Sequence, residues 1–309
     1  MRKIFNKTLL ELAKKDKRIY LVLADIGYGE IEPFREAFPD RYFNVGVAEQ
    51  NMTGVACGLA LEGNIAVTYS IANFPTLRCL EQIRNDICYH NANVKIVIIG
   101  GGVSYGPLGI SHHSTEDIAI MRALPNMVVL CPCDCIEAQA ATVAMIEHDG
   151  PVYYRCGYKG EKDIHRKKIN FKIGKAIQVK DGQDATIIFT GPIGYNVLLA
   201  NEILARKGIK CRLVSLHTIK PIDSKMIIDC ARNTGAIITC EEHNLSGGLG
   251  SAVAEVLADN NVWPVKFRRI AFPDIHVSLV GSQEWLRDKY GMSPEGIAET
   301  VKRTLKGQR

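Results

Sequence analysis

The sequence predicts an α/β protein of two domains, each a mostly parallel sheet flanked by helices. Three observations predict it. Short runs rich in β-branched residues alternate with helical patterns along the chain. The runs are apolar throughout, as expected of strands buried on both faces of a parallel sheet. The alternation stops at a charged stretch near the middle and then restarts, and 309 residues leave room for two such units.

The first series opens with an amphipathic helix around residues 8–15 and the strand IYLVLA (19–24). IAVTYS (65–70), VKIVIIG (94–100), MVVLC (127–131) and VYYR (152–155) follow as strands, with helices near 76–89, 115–123 and 135–147. YKGEKDIHRKKINFK (158–172) is dense in charge and poor in apolar residues. That composition marks a solvated linker, although a basic run can also bind phosphate or nucleic acid. Beyond it ATIIFT, KCRLVSL, GAIITCEE and VKFRRI read as strands, and 195–207, 224–232 and 248–258 as helices. The expected boundaries are a first domain over 1–160, a linker over 161–182 and a second domain over 183–309.

Composition narrows the function. With 47% hydrophobic and 23% charged residues, the chain is that of an ordinary soluble globular protein. A net charge of +5 falls short of the basic stripe that nucleic-acid binding needs. No apolar run approaches about 18 residues, and the amino terminus lacks the apolar core of a signal peptide. A cytoplasmic protein without nucleic-acid or membrane partners is expected. Of the ten cysteines only Cys131, Cys133 and Cys135 cluster, and CxCxC is not a common zinc or redox spacing. Buried free thiols are the expectation, with no metal ligand in the chain.

Two stretches carry chemistry. The turns TGPIG (190–194) and GGLG (247–250) match neither GxGxxG nor a P-loop, so they do not indicate dinucleotide binding. GGGVSYGPLG (100–109), in contrast, follows a strand and runs into SHHSTED, delivering two histidines to the edge where parallel α/β folds bind ligands. The other stretch is NVGVAEQNMTGVACGLALEG (44–63), where Glu49 heads a segment of small apolar residues. Gly54 and Gly58 would let another element approach this helix closely. A helix dipole returns about 0.3–1 kcal/mol to such a glutamate, whereas burying a carboxylate without a partner costs several. Either Glu49 caps an exposed helix end, or something hydrogen-bonds it across a buried interface.

NVGVAEQNMTGVACGLALEG, with FPTLRCLEQIRND, SHHSTEDIA and MRALPNMVVLCPCD, closely resembles the pyrimidine-binding domain of transketolases. EEHNLSGGLGSAVAEVL is similar to the transketolase carboxyl-terminal domain. The resemblance covers nearly the whole chain. It implies that Glu49 hydrogen-bonds the aminopyrimidine of thiamine diphosphate, favouring the imino form that deprotonates the thiazolium carbon. It further implies that Ile71 and Phe74 hold the ring, that Asp25 lies near the cofactor, and that His112 meets its amino group and the substrate. The GDG…Asn motif that binds diphosphate and magnesium in the family is absent. Mg2+ (or Ca2+) would therefore be ligated by a partner chain, an amino-terminal subunit carrying that motif, in an α2β2 heterotetramer.

The sugar-reading groups also depart from the family. Its second histidine falls at Gly100, its aspartate at Leu108 and its phosphate-binding arginine near Tyr158, with Arg155 and Lys159 close by as substitutes. The resemblance thus implies one subunit of a transferase moving a two-carbon ketol unit from a ketose to an aldose, with sugar or sugar-phosphate substrates. The alternatives are a deoxyxylulose-phosphate-synthase-like carboligase, the beta subunit of a 2-oxo-acid dehydrogenase, and a non-catalytic regulatory subunit.

Overall fold

The computed structural model describes residues 1–262 and 266–308. Among them are twelve strands in chain order: β1 (Ile19–Leu23), β2 (Tyr42–Asn44), β3 (Ile65–Ile71), β4 (Val94–Ile99), β5 (Val128–Leu130), β6 (Val152–Cys156), β7 (Ile177–Lys180), β8 (Ala185–Phe189), β9 (Cys211–Ser215), β10 (Thr218–Lys220), β11 (Ala236–Asn244) and β12 (Lys266–Phe272). They form two sheets, ordered β10-β5-β6-β4-β3-β1-β2 and β12-β11-β8-β9-β7. Every pairing among the described strands is parallel except β10 with β5 and β7 with β9. The expected fold class is the observed one, and the apolar runs behave as expected: β4 and β6 are buried at every position. The VKFRRI strand is β12, and Val265, its first expected residue, lies outside the described residues.

Helices cover both faces of the first sheet. Arg2–Lys15 and Cys135–Glu147 pack on one side with Phe5, Leu9, Ala138 and Met145. The Glu49–Leu61 helix and residues 74–88 cover the other, with Met52, Ala56, Ile83 and Ile87. Expected as one helix over 76–89, this second segment is broken into Phe74–Leu77, Leu80–Gln82 and a wide π-turn over Ile83–Cys88. Gly54 and Gly58 are exposed, and no other described part of the chain comes within 4 Å of a Cβ built on either. The close approach they permit is not made within the described residues.

The domain boundary differs from the expectation. Ile177–Lys180 pairs with β9 in the second sheet, so the expected linker over 161–182 already contains a strand of the second domain. Part of that charged stretch is also docked. Ile164 and His165 are buried, and their amides donate to Asp134 Oδ2 at 3.0 and 2.9 Å. Conversely β10, which follows β9, crosses back to extend the first sheet. Two helices not expected from the sequence, Gln283–Lys289 and Pro294–Leu305, complete the second domain. No helix among the described residues is long and apolar enough to cross a membrane.

Candidate active site

The carboxyl ends of β1, β2, β3, β4 and β6 open onto one edge, and most of the expected site residues stand there. At the end of β1 Asp25 takes φ 53° and accepts hydrogen bonds from Tyr28 Oη (2.7 Å) and Asn44 Nδ2 (3.1 Å). These bonds lower its pKa, the tyrosine hydroxyl contributing most. Asn44, ending β2, also receives the Asp25 and Gly46 amides, fixing the turn into the Glu49 helix.

Glu49 is the first residue of that helix and is 2% exposed. The expected cost of an unpartnered buried carboxylate is avoided by Arg78, whose Nη1 donates to Glu49 Oε2 at 2.6 Å. Arg78 itself is half exposed and lies 5.1 Å from the centre of the Phe74 ring. Ile71 ends β3, and the turn that follows brings Phe74 back over the edge. A buried acid and a half-buried aromatic face converge here, so the edge suits a flat ring with a hydrogen-bonding nitrogen.

The opposite wall is the loop 100–114. It is closed by reciprocal Gly102–Ser114 backbone bonds of 2.9 and 2.8 Å. His112 packs edge-on to Phe74 with ring centres 5.2 Å apart, and Ser111 Oγ lies 2.9 Å from its Nδ1. Burial pushes its imidazole below the ordinary histidine value, so the ring is neutral at neutral pH. His113 is buried elsewhere, its Nδ1 3.1 Å from the Val277 carbonyl oxygen.

Gly100 and Leu108, both singled out in the sequence, have different fates. A Cβ on Gly100 would sit 2.2 Å from the ring of Tyr105, so that ring occupies the space a side chain at 100 would claim. Tyr105 in turn packs against Tyr158 with ring centres 4.4 Å apart. Leu108 is 55% exposed on the loop tip. The wall is therefore aromatic. Lys159 is exposed at its rim, 5.1 Å from the Tyr158 ring centre.

Arg155 lies beneath this edge, buried, and does not face it. Proposed from the sequence as a substrate contact, it is 2% exposed and ion-paired to Asp117 at 2.7 Å. Its Nη2 donates to the Ser114 and Glu242 carbonyls, both at 2.9 Å. The guanidinium ties the end of the histidine loop to the second domain and is buried away from any substrate anion. Sequence reasoning also missed Arg78, Tyr105, Tyr158 and Asn44. Of these only Arg78 carried a local signal, one helical turn after Phe74.

An edge that presents an acid and an aromatic face to a flat ring, backed by a second α/β domain, defines a chain of the transketolase type. Residues 1–157 match the transketolase pyrimidine binding domain and residues 174–297 the transketolase C-terminal domain, and the chain belongs to the transketolase family. Its domain content is that of the carboxyl-terminal subunit of split transketolases. It is 39% identical to an apulose-4-phosphate transketolase subunit of Phocaeicola vulgatus, over 97% of this chain and 96% of that protein. It is 38% identical to a 6-deoxy-6-sulfo-D-fructose transketolase subunit of Clostridium sp., over 97% and 93%. A solved split-gene transketolase, described as an inactive β4 tetramer, superposes with a TM-score of 0.89 at 37% identity, covering 100% and 98%.

Proposed function

We propose that this chain is one half of a thiamine-diphosphate-dependent ketol transferase, complete only with a partner chain that binds the diphosphate and its divalent metal. The observation that carries the reading is Glu49, a buried carboxylate at a helix start whose ion-pair partner is a half-exposed arginine. The group the family implies fits the residues present: Glu49 would meet the ring nitrogen, Phe74 and Ile71 would hold its faces, and Asp25 lies at the same edge. When bound, thiamine diphosphate supplies a carbon nucleophile and electron sink for cleaving and re-forming the ketol carbon–carbon bond.

The roles of this chain's own groups follow from their placement. Glu49 holds a proton at the cofactor's ring nitrogen, and its burial keeps water from competing for it. His112, neutral and half-buried, offers one ring nitrogen to the reacting ketol oxygens while Ser111 orients the other. Tyr105, Tyr158 and Lys159 form the wall along which the rest of the sugar lies. The relatives named for apulose-4-phosphate and 6-deoxy-6-sulfo-D-fructose support a modified ketose or aldose bearing an anion, which Lys159 would meet. The solved split-gene transketolase described as an inactive β4 tetramer supports dependence on an amino-terminal partner, which we place in an α2β2 assembly.

The test is reconstitution. This chain, mixed with an amino-terminal partner carrying GDG, should bind thiamine diphosphate with magnesium and transfer ketol units, while alone it should bind little or none. Magnesium-dependent micromolar binding by the isolated chain would overturn the division of labour.

A further inference from the structure

The cysteines at 131, 133 and 135 find no use in this chemistry. The fold separates them: Cys131 ends buried under the β5–β10 junction, and Cys135 lies beside the amino-terminal ammonium. Cys133 joins a different group. Its Sγ, a Glu137 carboxylate oxygen and His165 Nε2 lie within 4.8 Å of one another, all buried. His165 Nε2 is 2.9 Å from Glu137 Oε1 and 4.0 Å from Cys133 Sγ.

These separations are near those of a tetrahedral zinc. With ordinary zinc bond lengths, nitrogen and oxygen ligands stand about 3.3 Å apart and sulfur and nitrogen about 3.6 Å. The imidazole would need to move about 0.4 Å from the carboxylate toward the thiolate. Its support is already in place, because Asp134 accepts both the Ile164 and His165 amides while capping the helix that carries Glu137. Cys133 N donates to Glu137 Oε2 at 2.8 Å. Such outer partners are what hold metal ligands in orientation.

A further buried histidine, His217, is not part of this group. His217 is fully buried, and its Nδ1 lies 2.9 Å from Thr218 Oγ1. Its Nε2 is buried without a hydrogen-bond partner among the described residues. Glu137 and His165 are the charged neighbours that act most on its ring. Phe171 stacks on this ring with centres 3.9 Å apart, so packing holds His217 in place outside the group of three.

We propose that Cys133, Glu137 and His165 form a zinc site. The mixed sulfur and nitrogen set suits Zn2+ and is wrong for Mg2+ or Ca2+, which take oxygen. Binding releases the thiol proton to solvent and involves no oxidant. The site shares no residue with the Glu49–His112 edge. Cys133 and Glu137 belong to the first domain and His165 to the connecting segment, so the ion would tie these two together.

The experiment measures zinc in the purified full-length chain by mass spectrometry, with cobalt uptake followed by absorption. The expected result is about one zinc per chain that survives dialysis against EDTA and falls at least about tenfold in Cys133→Ser and His165→Asn. Cobalt-exchanged wild type should show a thiolate-to-metal charge-transfer band that Cys133→Ser lacks. The wild-type measurement stands even where a variant fails to fold. Wild type that carries no zinc and takes up cobalt without a thiolate band overturns the site, as does zinc retained in both variants.

Discussion

Arg78 Nη1 and Glu49 Oε2 stand 2.6 Å apart, joining a guanidinium half in solvent to a carboxylate that is 2% exposed. The pair settles the local cost of burying Glu49 without closing the edge, because a long exposed side chain can swing aside for a ring. Replacing Arg78 by Met should lower the stability of the cofactor-free chain by about 1 kcal/mol, a figure reduced by the exposure of the arginine. The loss should vanish in the reconstituted, cofactor-loaded complex. Thermal unfolding of both states checks this, and an equal loss in both would show that Arg78 partners Glu49 throughout.

Glu49→Gln keeps size and hydrogen-bonding shape but cannot drive the proton to the ring nitrogen. Turnover of the reconstituted enzyme should fall by roughly 10²–10⁴ while the unfolding temperature holds. Hydrogen–deuterium exchange at the cofactor's thiazolium carbon, followed by NMR, reads the same step directly. Exchange at the wild-type rate would remove Glu49 from the chemistry.

Arg155 separates structure from substrate binding. Arg155→Met leaves Asp117 buried and uncompensated, and should cost about 3–5 kcal/mol. Arg155→Lys should recover part of that stability and leave the KM for an anionic substrate unchanged. A stable Lys variant with a raised KM would restore the arginine to the substrate site.

Lys95 gives a pH dependence with a defined sign. It is fully buried in β4, its Nζ donates to the His148 and Gly150 carbonyls at 2.7 and 2.6 Å, and burial pulls its pKa down to about 7. A neutral amine has two hydrogens for these two acceptors. Because the unfolded lysine takes its proton at a higher pH than the folded one, stability falls as pH drops from the unfolded value toward 7 and is flat below. The difference in unfolding temperature between wild type and Lys95→Met should therefore move in favour of wild type from pH 7 to 9. A constant difference would mean that Lys95 stays charged in the fold.

The aromatic wall predicts selectivity. With Tyr105 filling the space above Gly100, and Leu108 at the tip, this wall presents aromatic and aliphatic groups. Branched or deoxygenated ketol donors or acceptors should match or exceed xylulose 5-phosphate in kcat/KM, and Tyr105→Ala should shrink that preference about tenfold. A strong preference for xylulose 5-phosphate and ribose 5-phosphate over every modified sugar would refute this.

What the sequence made legible depends on range. β1, β3, β4 and β6 were readable because each is a continuous apolar run that needs no partner to identify it. β2 and β10 are three residues each, too short to show a period, and β7 is an edge strand with alternating exposure. The helix expected over 76–89 is interrupted near Cys79 and continues as a π-turn. Glu49 was legible as a buried acid, but Arg78, 29 positions away, was not named as its partner. Arg155 misled for the same reason: Asp117 lies 38 positions away, and nothing local tells an arginine at a strand end whether it will meet solvent or a buried acid.

β10 has a consequence for how the molecule comes apart. This three-residue strand, from the far side of the connector, covers the β5 edge of the first sheet, and Lys220 next hydrogen-bonds the Arg122 and Leu124 carbonyls. Removing the second lobe would leave β5 with a bare row of amides and carbonyls, a template for edge-to-edge association. The two lobes are therefore one cooperative unit of unfolding: they should melt in a single transition, and the first lobe expressed alone should aggregate.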